Sequence, residues 1–463
     1  MRVTVIGTGY VGTVTGACLS FLGHRVTCVD VDASKIARLQ RGELPIYEPR
    51  LAELLEMARA CGGIDFSTNL AGPVAESDVI FIAVGTPSLP TGEADLSYLE
   101  AAARAIGGAM DTSRYRVVVN KSTVPVGSGN LVESLVREGN GSGVFFGVVS
   151  NPEFLREGCA VADSLYPERI VLGTEDARAL SVMHELYCPL IEQSFDAPPF
   201  LPRPAALCMP VPLVDTTLTS AETIKYAANA FLALKIGFAN EIANICDRVG
   251  ADITQVACGI GLDSRIGPKF LNAGLGWGGS CFGKDVQSLL HTALEYGYHA
   301  RLLEATLEVN RVQRHVVIQK LQEKLKILKG RTIALLGLAF KPETDDLRDA
   351  PSLSIAEKLL HMGARLTAYD PVAMPACREQ YPALKINYCD SVLEAATGAD
   401  ALVLITEWQE FLTLDLRQVA RRMTRPVLVD GRNFISQEAA REAGFDYCGI
   451  GRALRLSQPQ AAR

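Results

Sequence analysis

The stretch Gly274-Leu-Gly-Trp-Gly-Gly-Ser-Cys-Phe-Gly-Lys-Asp285 places one cysteine, Cys281, between a glycine-rich run and the start of a helical pattern. Four glycines before the thiol let the backbone turn tightly and approach a ligand closely, because no Cβ stands in the way. From Asp285 to Gly297 apolar residues recur at helical spacing and a glycine closes the run, so Cys281 is expected just before a helix N-terminus. A thiol at such a position, with Lys284 nearby, ionises more readily and can serve as a nucleophile. The competing reading is a small buried hydrophobe, the usual fate of a lone cysteine. The elements that would have to position Cys281 decide between the two.

The chain opens with an expected strand Val3–Ile6, the turn Gly7-Thr-Gly-Tyr-Val-Gly12, a helix through Phe21, and a second strand Val26–Val29 closed by Asp30. This is the dinucleotide fingerprint in its required context. Gly7 makes the tight turn, Gly9 lets the backbone approach a pyrophosphate, Gly12 lets helix pack on strand, and the helix N-terminus faces the phosphates. Asp30, 18 residues after Gly12, would accept from a ribose diol and repel a 2′-phosphate, which favours NAD over NADP.

Further strands are expected over 78–84, running into Gly85-Thr-Pro-Ser88, and over 116–120, running into Lys121-Ser-Thr-Val-Pro-Val-Gly127. Strand ends followed by small polar residues are where open α/β sheets bind ligands. A third such end, Val148-Val-Ser-Asn-Pro-Glu-Phe-Leu-Arg-Glu157, would put Glu153 and Glu157 on one face if it were helical.

Six prolines between Pro198 and Pro212 read as an extended connector outside any core. After it, residues 220–244 read as a helix apolar around most of its circumference, which must be buried on several sides. Lys225 and Asn229 interrupt it at i,i+4 spacing, and so apolar a helix must give such a pair partners. They suit a site, a structural salt bridge or a subunit contact. From Thr332 a second α/β region begins, with strands Arg365–Tyr369 and Ala401–Ile405, and Gly337-Leu-Ala-Phe-Lys341 in place of a GxGxxG turn. A nucleotide-like ligand without the dinucleotide turn is expected there. The tail from Arg455 is polar and expected to fray.

A length of 463 residues calls for two to four domains. The net charge of -7 offers no basic field for nucleic acid, and the apolar runs are too short to span a bilayer. Gly7, Gly9 and Gly12 interrupt the N-terminal apolar run too early for a secretory leader, so a cytoplasmic location is expected. Twelve cysteines without a CxxC pair, and six histidines without ligand spacing, predict neither a disulfide framework nor a metal site.

Six segments in order, GTGYVG, KSTVPVG, NPEFLREG, KYAANAFLA, GGSCFGKD and GLAFKPETDDLRD, closely resemble the UDP-glucose/GDP-mannose dehydrogenase family over nearly the whole chain. That resemblance implies two Rossmann-like doubly wound parallel-sheet domains joined by a central helical region with a long buried helix. The boundaries it suggests are 1–205 for an NAD-binding domain, 206–310 for a helical dimerisation and active-site domain, and 311–463 for a nucleotide-sugar-binding domain. It also implies a four-electron oxidation of a nucleotide-sugar C6 alcohol, UDP-glucose above all, using two NAD and no free aldehyde. GDP-mannose or a UDP-N-acetylhexosamine is the alternative substrate, and a non-catalytic nucleotide-sugar sensor the alternative outside enzymes.

Carried over residue by residue, the resemblance makes Cys281 the nucleophile and sets Lys225 and Asn229 at the developing oxyanion. Glu153 becomes the general base, with Thr123 and Asp285 positioning water. NAD contacts are implied at Gly7, Gly9, Tyr10, Val11, Gly12, Asp30, Lys35, Thr86, Thr123, Glu157, Lys284 and Arg348. For the nucleotide-sugar they are implied at Glu153, Phe154, Leu155, Glu157, Lys225, Asn229, Arg265, Asn272, Gly274, Gly276, Gly278, Phe340 and Lys341. Arg432 resembles an arginine that reaches into a neighbouring subunit's site, so a homodimer or larger homo-oligomer is expected. Gly283 departs from most relatives, which have proline or glutamine there, and could loosen the loop without removing the thiol.

Overall fold

The β-branched runs form two separate sheets in the computed structural model, which describes residues 1–452 apart from 90, 141, 142, 144 and 208. The expected fraying of the tail from Arg455 lies outside the described residues. The first sheet contains β1 (Arg2–Ile6), β2 (Arg25–Val29), β3 (Ile64–Ser67), β4 (Val79–Ile82), β5 (Arg116–Asn120), β6 (Phe146–Ser150), β7 (Ile170–Gly173) and β8 (Leu213–Thr216). Its order is β3-β2-β1-β4-β5-β6-β7-β8. All neighbours are parallel except β6 and β7, which meet antiparallel at Ser150 and Gly173. Every residue of β4, β5 and β6 is buried, as strands covered by helices on both faces must be.

The second sheet contains β9 (Thr332–Leu336), β10 (Arg365–Tyr369), β11 (Ile386–Tyr388), β12 (Ala401–Leu404), β13 (Val427–Asp430) and β14 (Asp446–Gly449), all parallel, in the order β11-β10-β9-β12-β13-β14. This repeats the first six strands of the other sheet. In each, the order reverses beside the first strand, and the carboxyl ends there define a ligand crevice.

By internal contacts the chain forms two compact units, Met1–Ala228 with Gln287–Gly297, and Asn229–Val286 with the residues from Tyr298 on. Each has its own apolar core. One helix of 32 residues, Leu218–Val249, contributes to both.

Two local expectations are corrected. The segment from Pro198 to Pro212 is no detached connector. Phe200, Leu201 and Leu207 pack against the N-terminal core, Val211 is buried in it, and the Tyr166 hydroxyl donates to the Leu201 carbonyl at 2.9 Å. Prolines exclude regular structure, but the apolar residues between them still seek burial. The residues from Asn151 to Arg156 are not helical, so Glu153 and Glu157 share no helix face. The long helix is buried on several sides, as expected, and leaves one face exposed in this chain. Phe231, Phe238, Ile245 and Val249 stand exposed on it, the first three spaced by seven residues, while Asn229, Ala233, Asn240, Ala243 and Cys246 face inward.

Candidate active site

In the N-terminal unit, Gly7 turns the chain after β1 with φ +100°. At Gly12 any Cβ would overlap the Gly7 carbonyl, so helix Tyr10–Phe21 seats on the turn only with glycine there. The N-cap, Gly9, brings no side chain to cap that helix, and a Cβ at Gly9 would meet nothing within 4 Å. The first amides of the helix are therefore left for an anion.

At the end of β2, Asp30 accepts from the Thr8 amide and hydroxyl, both at 2.8 Å, and from the Asp32 amide at 2.9 Å. Burial pushes its carboxyl upward. These donors and Lys35 more than offset that, holding it below the usual carboxylate range. Lys35 pairs at 3.9 Å with Asp32, the cap of the next helix. These residues fit a dinucleotide, with amides for the pyrophosphate and an ionised acceptor for the ribose.

Beyond β4 and β5, the Thr86 hydroxyl donates to the Thr123 carbonyl at 2.7 Å and joins the two strand ends. Glu222, buried on the long helix, accepts the Gly127 and Gly129 amides at 2.7 Å each and pins the Lys121–Gly127 loop. After β6, Glu153 is buried. Its Oε1 accepts from Lys225 Nζ at 2.8 Å and its Oε2 from the Leu155 amide at 2.7 Å.

The Phe154 ring lies 3.8 Å from the Arg169 guanidinium carbon and 5.4 Å from Lys225 Nζ. Lys121 Nζ donates at 3.0 Å to Asn151 Oδ1, an oxygen that also takes the Tyr187 hydroxyl at 2.6 Å. Burial brings the Lys121 amine down to about 8, against the pull of Glu153. Glu157 is half-buried and its charge is felt by Tyr10. The ion pair of Lys225 and Glu153 thus joins two residues whose roles were expected separately.

In the second unit, Cys281 is exposed immediately before helix Phe282–Glu295, as expected, and its carbonyl accepts the Asp285 amide at 2.8 Å. The Ser280 hydroxyl lies 3.4 Å from the thiol sulfur. Asp285 is buried, and its carboxylate takes Asn229 Nδ2 at 2.5 Å and Lys284 Nζ at 2.6 Å. Lys284, expected near the thiol, gives its ammonium to Asp285. A buried carboxylate draws the nearest cation.

The glycine run also packs closely on the chain itself. A Cβ on Gly278 would strike the Asp349 carbonyl oxygen, and the Gly279 amide donates to the Arg348 carbonyl at 2.9 Å. Asn240 and Gln313 bind the Gly274 amide and carbonyl at 2.7 Å each. Asn310 takes the Trp277 amide at 2.8 Å and returns a bond to its carbonyl at 3.0 Å. The thiol is thus presented by a backbone fixed on both sides.

Within this chain the Arg432 guanidinium donates to the Ile405, Gly276 and Phe340 carbonyls at 2.7, 3.1 and 3.4 Å and pairs with Glu407 at 3.3 Å. Lys341 lies 5.6 Å from the Phe340 ring. Arg348 pairs with Asp346 and Arg265 with Asp263, both largely exposed, and Asn272 is exposed. At β9 the turn differs from the first in its anion site. The Leu338 and Ala339 amides, which follow Gly337, are taken by the buried Asp370 carboxylate at 2.6 and 3.1 Å, so no pyrophosphate is invited.

A doubly wound sheet with open helix amides and a ribose acid, paired with a unit that presents a thiol at a helix start, defines a nucleotide-dependent oxidoreductase of the α/β class. Residues 1–191 match the NAD binding domain, 219–312 the central domain and 334–437 the UDP binding domain of the UDP-glucose/GDP-mannose dehydrogenase family, and the chain belongs to that family.

It is 47% identical over 459 residues to UDP-glucose 6-dehydrogenase TuaD of Bacillus subtilis (strain 168), covering 99% of this chain and 95% of that one. A solved UDP-glucose dehydrogenase from the archaeon Pyrobaculum islandicum superposes with TM-score 0.87 at 39% identity, covering 97% and 98% of the two chains. A UDP-D-ManNAc dehydrogenase from Pyrococcus horikoshii does so with TM-score 0.83 at 26% identity, covering 98% and 99%.

Proposed function

We propose that this chain oxidises UDP-glucose to UDP-glucuronate, with NAD taking up the hydride lost from C6 in each of two oxidations. Glu153 receives the proton of the C6 hydroxyl as the aldehyde forms. The Cys281 thiolate then adds to the aldehyde carbon, making a carbon–sulfur bond and an oxyanion. Lys225 and Asn229 are the donors assigned to that charge, since fixed donors shielded from water stabilise an oxyanion more strongly than water does. Loss of the second hydride leaves a thioester. Water placed by Thr123 and Asp285 attacks it, the thiolate leaves, and the carboxylate is released.

The observation that supports this reading most is Cys281 itself, exposed at a helix start on a loop fixed by Asn240, Gln313 and Asn310, in one unit with the buried Asn229–Asp285 pair. A binding protein needs no such thiol. Higher identity to UDP-glucose dehydrogenases than to the N-acetylhexosamine relative favours UDP-glucose over a UDP-N-acetylhexosamine. The test is the NADH released per limiting UDP-glucose, with GDP-mannose and UDP-N-acetylhexosamines alongside. About two from UDP-glucose alone is expected from covalent capture. One would mean the reaction stops at the aldehyde, and none on any sugar would leave a sensor.

The active form proposed here is a homodimer or larger homo-oligomer. Phe231, Phe238 and Ile245 make an apolar seam on an exposed helix face, which is more than a solvated helix carries. Sedimentation of Phe238→Glu should show dissociation, and an unchanged mass would exclude the seam as the interface. No helix among the described residues is long and apolar enough to cross a membrane, and a cytoplasmic location is proposed. Fractionation of cells making the protein at native level would contradict that if it were found outside the cytoplasm.

A further inference from the structure

Glu48 lies outside every motif used above. It stands in Pro45-Ile-Tyr-Glu-Pro49, between helices Ala33–Gln40 and Leu51–Ala60, and is only 6% exposed. A carboxylate buried there needs compensation. It comes from N–H and O–H donors: Oε1 accepts the Ala160 amide at 2.7 Å, and Oε2 accepts the Gly158 amide at 2.6 Å and the Tyr10 hydroxyl. The Gly158 amide also reaches the Tyr10 oxygen at 2.9 Å. Burial raises the Glu48 carboxyl, and these donors offset only part of that rise.

The partners belong to two segments that are distant in sequence. Tyr10 is the first residue of the helix at the dinucleotide turn. Gly158, with φ +79°, ends the segment that carries Glu153, Phe154, Leu155 and Glu157. One carboxylate, 38 residues from the first partner and 110 from the second, binds both. Because rate depends steeply on the placement of reacting groups, a bond between these segments bears on catalysis without touching the substrate.

We infer that Glu48 is a positioning residue for hydride transfer, setting the segment from Glu153 to Gly158 in register with the dinucleotide turn. The inference rests on the proposed reading of those segments as facing the sugar and NAD. Its effect should appear in the chemical step and not in cofactor affinity.

Glu48→Gln tests it, since the amide keeps the side chain's shape but turns an N–H donor toward one of the backbone amides. The expected result is a kcat about 10- to 100-fold lower. NADH affinity, titrated by fluorescence without sugar, should change less than about threefold. The deuterium isotope effect on kcat with UDP-glucose labelled at C6 should rise as hydride transfer becomes slower. Tyr10→Phe should lower kcat in the same way and add little to the Gln variant, because both act on one joint.

A lower melting temperature with unchanged kcat and isotope effect would reduce Glu48 to a structural cap and overturn the inference. So would loss of NADH binding in step with loss of turnover. Wild-type turnover of UDP-glucose separates the two proposals. Its absence counts against the proposed function and takes the role of Glu48 down with it, whereas normal wild-type turnover with an unaffected Gln variant counts against Glu48 alone.

Discussion

Lys225 Nζ lies 2.8 Å from Glu153 Oε1, and neither side chain is more than 6% exposed. The residue proposed to face the oxyanion and the one proposed to take the proton are therefore one buried ion pair. A change of charge at either is felt at the other, which suits a reaction that makes an alkoxide, a thiohemiacetal oxyanion and a carboxylate in turn.

Removing one partner of that pair should cost more than removing both. Lys225→Met leaves the Glu153 charge buried without its cation and is expected to lower stability by about 3–5 kcal/mol. Adding Glu153→Gln should recover most of that loss while activity stays absent. Urea unfolding of the two single variants and the double checks it, and additive losses would mean the pair is not coupled.

Two glycines near the thiol should respond oppositely to alanine. At Gly283 a Cβ would meet Trp277 at 3.5 Å and Asp349 at 3.6 Å, which is ordinary contact, so Gly283→Ala should stabilise by about 0.5–1 kcal/mol with activity retained. At Gly278 the Cβ strikes the Asp349 carbonyl oxygen, and Gly278→Ala should displace the loop and abolish most turnover. Melting temperatures and initial rates of both variants decide it.

The Lys121 amine titrates near 8 in the folded chain, below its ordinary value of 10.5, chiefly because of burial. Between those values the unfolded chain holds a proton that the folded chain has released, so the lysine's contribution to stability rises with pH across that window and is flat below it. Relative to Lys121→Met, the wild type should gain on the order of 1–3 kcal/mol between pH 7.5 and 10. A constant difference by urea unfolding across that range would contradict the assignment.

Asp30 accepts both from Thr8 and from the next turn, so Asp30→Ala should raise the KM for NAD and also remove the repulsion of a 2′-phosphate. The ratio of kcat/KM for NAD to that for NADP should fall by roughly tenfold or more. An unchanged ratio would exclude its ribose role.

Local chemistry was readable in the chain, and tertiary pairing was not. The seating of Cys281 before a helix follows from a glycine run and helical spacing within a few residues, and the first turn follows from Gly7, Gly12 and Asp30. By contrast, Glu48 finds Gly158 and Glu222 finds Gly127 and Gly129 across about a hundred residues, where no spacing rule reaches. Pro49 beside Glu48 hints at rigidity, but not at a partner.

The glycines before Cys281 were legible as sites of close approach, but not the groups within the chain that they meet: Asn310 at Gly276, the Asp349 carbonyl at Gly278 and the Phe340 ring at Gly279. The carbonyls that Arg432 binds within this chain were likewise invisible in the sequence. The apolar helix at residues 220–244 was rightly placed but could not announce that Phe231 and Phe238 would be left outside.

The central claim is covalent capture at Cys281, and the most direct measurement is the acid formed by Cys281→Ser, with UDP-glucose binding followed by calorimetry. A serine hydroxyl is a poor nucleophile at its free pKa. The expected result is UDP-glucose bound as in the wild type and UDP-glucuronate formation lowered by about a thousandfold or more. UDP-glucuronate formed at a near-normal rate would contradict the covalent route.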